Sequence, residues 1–274
     1  MLVALLVLGI LLLILLCLYI LSLKPAKHRP EKLFPFKNTY VAHRGFYNNK
    51  NIPENSIKAF RAAIKNCYAI ELDVQLTKDN RLVVFHDATL KRMCGVKRKV
   101  SDCTYEELLS CNLLDTYYKI PLFSEVLELV GGKVPLLIEV KAHEDIVKTV
   151  TVLDEHMRTY NGIYAVQSFH PGVCAWYKNN RPEVPRGILS TNYRKNKIKK
   201  PPLLQFALSN LLFNFWAKPD FIAYNHKYAD QLSYKIAREL YKFDNAAWTI
   251  RSQEELEHSS KVFDIFIFDS FEPR

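Results

Sequence analysis

The chain has 274 residues and a formal net charge of +10, from 38 Lys and Arg against 28 Asp and Glu. With 49% hydrophobic and 24% charged residues its composition is that of a folded protein, which excludes disordered, collagen-like and mucin-like classes. Six irregularly spaced cysteines in a chain of this length exclude a small disulfide scaffold.

From Leu2 to Leu21 the chain is apolar apart from Gly9 and Tyr19 and carries no charge. A helix of about 20 residues at 1.5 Å each spans about 30 Å, the thickness of a bilayer's hydrocarbon core. The run exceeds the roughly 7–15 apolar residues of a signal peptide, no Lys or Arg precedes it, and no small-x-small cleavage site follows. Residues 1–23 are therefore expected to form an uncleaved, single-pass transmembrane anchor. Lys24, Lys27, Arg29 and Lys32 follow it, and the positive-inside rule then places the body on the cytoplasmic side. Cys67, Cys94, Cys103, Cys111 and Cys174 form no CxxC pair, which suits a reducing compartment. Residues 24–38, rich in Pro and Lys, read as a basic juxtamembrane linker, and residues 39–274 as one domain.

Along that domain, short β-branched and aromatic runs recur at Thr39–His43, Ala69–Val74, Leu82–His86, Leu136–Val140, Ile163–Gln167, Arg186–Leu189, Phe221–Tyr224, Ala246–Ile250 and Ile265–Phe268. Most are continuously apolar, as strands buried on both faces must be. Helical periodicity fills most gaps, for example Ser56–Asn66, Glu144–Tyr160 and Tyr228–Lys242. About eight strand–helix units in this length predict an α/β fold, a TIM-type (β/α)8 barrel behind the N-terminal transmembrane helix. One connection, Gln75–Arg81 with its Lys78-Asp79-Asn80 turn, is too short for a parallel crossover, so a local antiparallel return is expected there.

Active sites of such barrels lie at the C-terminal ends of the strands. The polar residues interrupting the strands there are His43-Arg44-Gly45, Glu71-Leu72-Asp73, His86-Asp87 and Glu139-Val140-Lys141. Strand side chains alternate, so Glu71 and Asp73 share one face, as do Glu139 and Lys141. Glu71, Asp73 and Glu139 form an oxygen-only set suited to one hard divalent cation, Mg²⁺ or Ca²⁺. Arg44 and Lys141 offer positive charge to an anionic substrate, and His43 and His86 are a natural general acid/base pair near neutral pH. Any one of these motifs alone could be a structural ion pair. Their joint occurrence at four strand ends describes a phosphodiester site. A metal-dependent amidohydrolase is a poorer fit, because the first strand lacks a His-x-His pair.

These stretches, together with Pro53-Glu54-Asn55-Ser56, Val84-Phe85-His86-Asp87, Ile120-Pro121-Leu122, Gln167-Ser168-Phe169 and Ala247-Trp248-Thr249-Ile250, run in one order from about residue 40 to the C-terminus. In that order the sequence resembles the glycerophosphodiester phosphodiesterase family, relatives of the phosphatidylinositol-specific phospholipases C. The resemblance implies hydrolysis of glycerophosphodiesters to glycerol 3-phosphate and an alcohol. It makes His43 and His86 catalytic, Glu71, Asp73 and Glu139 metal ligands, and Arg44 and Lys141 phosphate contacts. It also offers Trp248 as an apolar wall for the glycerol. Glu54 and Asn55 either shape the barrel mouth or cap the first helix. Attack by water and attack by the glycerol 2-hydroxyl stay open. The tail Asp269-Ser270-Phe271-Glu272-Pro273 departs from the family's pattern and leaves Asp269 without an assigned role, and residues 190–219 match no family motif. Lysophospholipase D action on membrane lysolipids, or a catalytically silent lipid- or partner-binding barrel, are the alternatives.

The positive charge concentrates in Lys91, Arg92, Lys97, Arg98 and Lys99 and in Arg194, Lys195, Lys197, Lys199 and Lys200. No nucleic-acid-binding motif accompanies it, so the expected partner is an anionic lipid surface rather than nucleic acid. Pro201 to Trp216 is too short for a span. Its Trp, Phe and Leu beside a basic run suit a helix lying at a membrane interface, while an ordinary barrel helix is the plainer reading. Oligomeric state is not readable from the sequence.

Overall fold

The computed structural model describes residues 1–27, 31, 33–141, 143 and 145–274. Arg29 and Lys32, two of the basic residues that orient the apolar segment, lie outside the described residues. Helices α1 (Leu2–Ser22) and α2 (Phe34–Lys37) precede the barrel. It then runs β1 (Val41–Ala42), α3 (Ile57–Lys65), β2 (Ala69–Leu76), β3 (Leu82–Val84), α4 (Lys91–Cys94), α5 (Tyr105–Leu108), α6 (Phe123–Val130) and β4 (Leu136–Val140). The second half is α7 (Ile146–Met157), β5 (Tyr164–Ser168), α8 (Pro171–Asn180), β6 (Arg186–Ser190), α9 (Pro202–Ser209), α10 (Asn214–Ala217) and β7 (Phe221–Asn225). It closes with α11 (Leu232–Tyr241), β8 (Asp244–Ile250), α12 (Gln253–Ser259) and β9 (Ile265–Phe268).

Eight of the strands are parallel, and β1 pairs with both β2 and β9, closing the TIM-type barrel. Strand β3 stands apart from this ring. It returns antiparallel on β2, Val74 facing Val84 and Leu76 facing Leu82, as the short connection predicts. A further bond from the Phe85 N–H to the Asp73 carbonyl, 2.9 Å, brings His86 to the mouth beside the end of β2.

The period of two sorts each strand into two cores. Ile70, Leu72, Val74, Ile138 and Val140 face outward and pack under the helices. Val41, Ala69, Leu137, Ala165, Ala223, Ala246, Ile265 and Ile267 fill the interior. Leu33 and Phe36, inside the stretch read as a linker, join that interior cluster and are buried. Gly187 is needed because the Phe221 ring occupies the space where a Cβ would stand.

Helix α1 is exposed along residues 2–18, and it is long and apolar enough to cross a membrane. Its end is not free. Leu23 is fully buried, and its carbonyl accepts from Asn214 Nδ2 at 3.1 Å. The Ile20 carbonyl accepts from the Tyr241 hydroxyl at 2.7 Å, and Ala26 N–H donates to Pro219 O at 2.9 Å. All six cysteines are free thiols.

Gly45 ends the His-Arg-Gly turn at φ +80°, and a Cβ there would lie 2.9 Å from the Ala59 carbonyl carbon. Both the backbone conformation and the approach of α3 demand glycine. Gly45→Ala is expected to destabilise the fold by about 2 kcal/mol or more, read as a lowered Tm of the full chain.

Candidate active site

The inward series of each strand continues at its C-terminal end into polar residues: His43 after Val41, Glu71 and Asp73 after Ala69, Glu139 and Lys141 after Leu137. His43, Arg44, Glu71, His86, Glu139 and Trp248 line one cleft of about 180 Å³. Asp73 and Lys141 lie against it. Lys141 Nζ bonds Glu139 Oε1 and is 2.8 Å from Asp73 Oδ1. The structure thus draws together all eight residues selected from the sequence.

Both histidines are held by a carboxylate at Nδ1. His43 Nδ1 is 3.0 Å from Asp269 Oδ2, and His86 Nδ1 is 2.6 Å from Asp87 Oδ1. A carboxylate at Nδ1 fixes the ring and leaves Nε2 for other partners. Burial and the neighbouring Arg44 push His43 down to about 4, against the upward pull of Asp269 and Asp73, so the ring is neutral at pH 7. Burial alone would raise Asp269, but His43 and Arg251 outweigh it and hold the carboxyl well below the usual carboxylate range. Tyr47 donates to the same Oδ2 at 3.1 Å.

Arg44 has φ 55°. Its Nη1 is 2.6 Å from Glu54 Oε1 and its Nε 3.4 Å from Asp73 Oδ2, while its backbone N–H donates to Glu71 Oε2 at 2.9 Å. Glu54 also takes two bonds from Arg92, which reaches across to Asp87 at 2.7 Å. Burial would raise Glu54, yet Arg92 and Arg44 hold it at about 2. Arg92, read from the sequence as part of a basic surface loop, therefore ties the His86 side of the mouth to the Arg44 side. Ser56, not Glu54 or Asn55, caps α3 by accepting from the Ala59 N–H. Asn55 Nδ2 instead donates to Asp73 Oδ2 at 2.8 Å. Trp248 donates to the Ala223 carbonyl at 3.0 Å and stands edge-on to Phe169.

The sequence names Asp269, Asp87 and Arg92 but gives none of them a role in the site. For Asp269 a signal existed: it continues the inward series Ile265, Ile267, so the alternation points it into the mouth.

Glu71, Asp73 and Glu139 are buried, and each offers an oxygen within 4.8 Å of the others. Among the described residues this is the one group of three or more metal-capable side chains so arranged. Burial and the charges of Asp73 and Glu139 push Glu71 well above the usual carboxylate range. Burial would also raise Asp73, but Lys141, His86 and Arg44 hold it far below. Three buried oxygen donors that repel one another, without a thiolate, fit a hard divalent cation.

Residues 43–262 match the family model described as the glycerophosphoryl diester phosphodiesterase family. The chain belongs to this family. A glycerophosphodiester phosphodiesterase of Bacillus altitudinis is 36% identical over 162 residues, 54% of this chain and 65% of that one. One from Caldanaerobacter subterraneus is 44% identical over 117 residues, 39% of this chain and 46% of its own. A lysophospholipase D of Rattus norvegicus is 33% identical over 47% of this chain and 44% of its own. The chain spans about half to two thirds of the length of these curated relatives. Among solved structures, an Oleispira antarctica phosphodiesterase in complex with the product sn-glycerol-3-phosphate superposes with TM-score 0.67 at 20% identity, covering 85% of this chain and 92% of that one. The Thermotoga maritima glycerophosphodiester phosphodiesterase gives 0.65 at 25% identity, covering 85% and 95%.

In this glycerophosphoryl diester phosphodiesterase barrel a second, larger cleft of about 450 Å³ opens beside the first, and His86, Glu139 and Phe169 line both. Its outer wall is Leu204, Leu208, Phe213 and Trp216, from the stretch that matches no family motif.

Proposed function

We propose that the protein is a membrane-anchored hydrolase that cleaves glycerophosphodiesters to glycerol 3-phosphate and an alcohol, with one divalent cation, Mg²⁺ or Ca²⁺. The observation that carries this reading is the placement of two carboxylate-held histidines around the cluster Glu71, Asp73 and Glu139. His43, held neutral, takes the proton of the attacking oxygen at Nε2. His86, half-buried and paired with Asp87, delivers a proton to the leaving alkoxide. Arg44 and Lys141 are already shared with Glu54, Asp73 and Glu139, and they bring positive charge to the phosphate without needing to be recruited. A divalent cation held by Glu71, Asp73 and Glu139 would add Lewis-acid stabilisation of the charge on phosphate. Trp248 and Phe169 supply the apolar wall against which the glycerol carbons lie.

The membrane part rests on α1. Its last turn supplies the Leu23 carbonyl to the buried Asn214 amide and the Ile20 carbonyl to Tyr241, so its loss would strip partners from the barrel. Cytoplasmic placement of the barrel follows from Lys24 and Lys27 beyond the helix. A catalytically silent barrel would have no use for seven intact polar residues together with the carboxylates that orient them.

The full chain, purified in nanodiscs, is expected to release glycerol phosphate from several glycerophosphodiesters, to lose this activity with chelator and to regain it with Mg²⁺ or Ca²⁺. No release under any divalent cation would overturn the reading. Asp269 acts through His43 as a positioning residue, and Asp269→Asn is expected to cost at least about 10²-fold in kcat. Because Asp269 raises the basicity of His43, its loss should move the acid limb of kcat/KM to lower pH. An unmoved limb would leave Asp269 a merely structural role.

A further inference from the structure

We infer that Gln167 and Arg251 form a subsite for the terminal hydroxyl of the glycerol, so that this chain selects glycerophosphodiesters in which that hydroxyl is free. The inference rests on the hydrolase reading for where the phosphate lies, and its new content is these two side chains. Around the closed ring the strands run β1, β2, β4, β5, β6, β7, β8 and β9. The groups proposed to meet phosphate or cation, Arg44, Glu71, Asp73, Glu139 and Lys141, all stand on or just after the first three of these. The other half of the cleft of about 180 Å³ is what remains for the glycerol. Leu189, Trp248 and Ile267 make its lining there apolar, and Gln167 and Arg251 interrupt it from β5 and from the end of β8. In a cleft this small both reach one ligand.

Gln167 continues the inward series of β5 after Ala165 and is buried. Among the described residues no donor reaches its Oε1. A buried amide oxygen has given up water and gained nothing in return, a deficit that an O–H from a ligand removes. Arg251 supplies the complementary half. Its backbone N–H donates to Glu255 Oε2 at 2.8 Å, which fixes the chain as it leaves β8. Its Nε and Nη2 are spent on Asp269, at 3.0 and 3.3 Å, while Nη1 bonds none of the described residues and the side chain is 52% exposed. Asp269 already balances the guanidinium charge, so what Arg251 still offers is a directed N–H. That suits a hydroxyl oxygen better than a second anion. A hydroxyl is donor and acceptor at once, and one that donates to Gln167 and accepts from Arg251 satisfies both. The terminal hydroxyl, the end of the glycerol remote from phosphate, is the one placed to reach this half of the mouth.

Two readouts test this on the full chain in phosphatidylcholine nanodiscs with Mg²⁺. The first is the ratio of kcat/KM for glycerophosphocholine to that for 2-hydroxypropylphosphocholine, which lacks only the terminal hydroxyl. The ratio is expected to be about 30-fold or more, and to fall at least about fivefold in Arg251→Met and in Gln167→Met, whose side chain has nearly the same length. If Arg251 served only to hold Asp269, or Gln167 only to fill the barrel, both substrates would suffer alike and the ratio would stay. The second readout needs no turnover. It is the ratio of the calorimetric Kd for 2-hydroxypropyl phosphate to that for sn-glycerol 3-phosphate, with the same expected values. A Kd ratio that falls in both variants, with no hydrolysis of any glycerophosphodiester, would keep the subsite and sink the hydrolase. A wild-type ratio near one, or a ratio unmoved in either variant, would overturn the subsite. So would loss of the metal-dependent rise in Tm in Gln167→Met, because the amide, in register beside Glu139, would then belong to the cation.

Discussion

Replacing His86 by alanine is expected to lower kcat for glycerophosphodiester hydrolysis by about 10²- to 10⁴-fold, with KM changed far less. In the proposed mechanism the ring delivers a proton as the bond to the leaving alkoxide breaks, an interaction made only in the transition state, so its loss falls on kcat. The same proposal rests substrate binding instead on Arg44, Lys141 and the apolar wall, which the substitution leaves in place. His43→Ala should cost a similar factor, since without a base the attacking oxygen must lose its proton to water. The two losses should not add. With one proton transfer gone the other has little to act on, and the double variant should lie within about tenfold of the worse single one. Steady-state kinetics on the full chain checks this. Either single variant keeping more than a tenth of the wild-type kcat would remove the histidine pair from the mechanism.

Glu71→Gln has the second large effect, and it reaches beyond activity. Burial, and after it the charges of Asp73 and Glu139, push the wild-type carboxyl above the usual carboxylate range, so ionising it in the metal-free protein places it among like charges. An uncharged amide relieves that repulsion, and the metal-free variant is expected to be as stable as the wild type or more so. The gain from added cation should vanish. Binding at about 100 times Kd stabilises the native state by about 2.7 kcal/mol, a rise in Tm that wild type should show with Mg²⁺ or Ca²⁺ and the variant should not. Activity should fall by about 10³-fold, the several kcal/mol that a Lewis acid gives to charge on phosphate. Thermal unfolding with and without cation separates the causes: a variant that loses activity yet keeps the metal-dependent rise in Tm would show that Glu71 is not a ligand.

Much of the site was legible because it obeys two local rules. Alternation along a strand put Glu71 with Asp73 and Glu139 with Lys141, and the position of each pair at the end of an apolar run put them at the mouth. The seven-residue connection between Val74 and Leu82 forced β3 to return on β2, and with it His86. None of this depends on distant contacts. What escaped were groups whose roles come from partners far along the chain. Asp269 meets His43 across 226 residues only because β1 and β9 close the barrel. Arg92, still exposed, is tied to the mouth because Glu54 and Asp87 converge on it from two loops.

By itself the sequence determined the apolar N-terminal helix, the alternating strand–helix order and the acidic and histidine residues at the strand ends, since length, period and spacing are local properties of the chain. Only the tertiary structure decided that Leu33 and Phe36 belong to the barrel interior, that the last turn of α1 is seated on α10, and that residues 201–217 wall a second cleft joined to the first. These are matters of which surfaces meet. Apolar side chains state that they will be buried or will seek an apolar partner, but not which one, and closure of the barrel is what chooses.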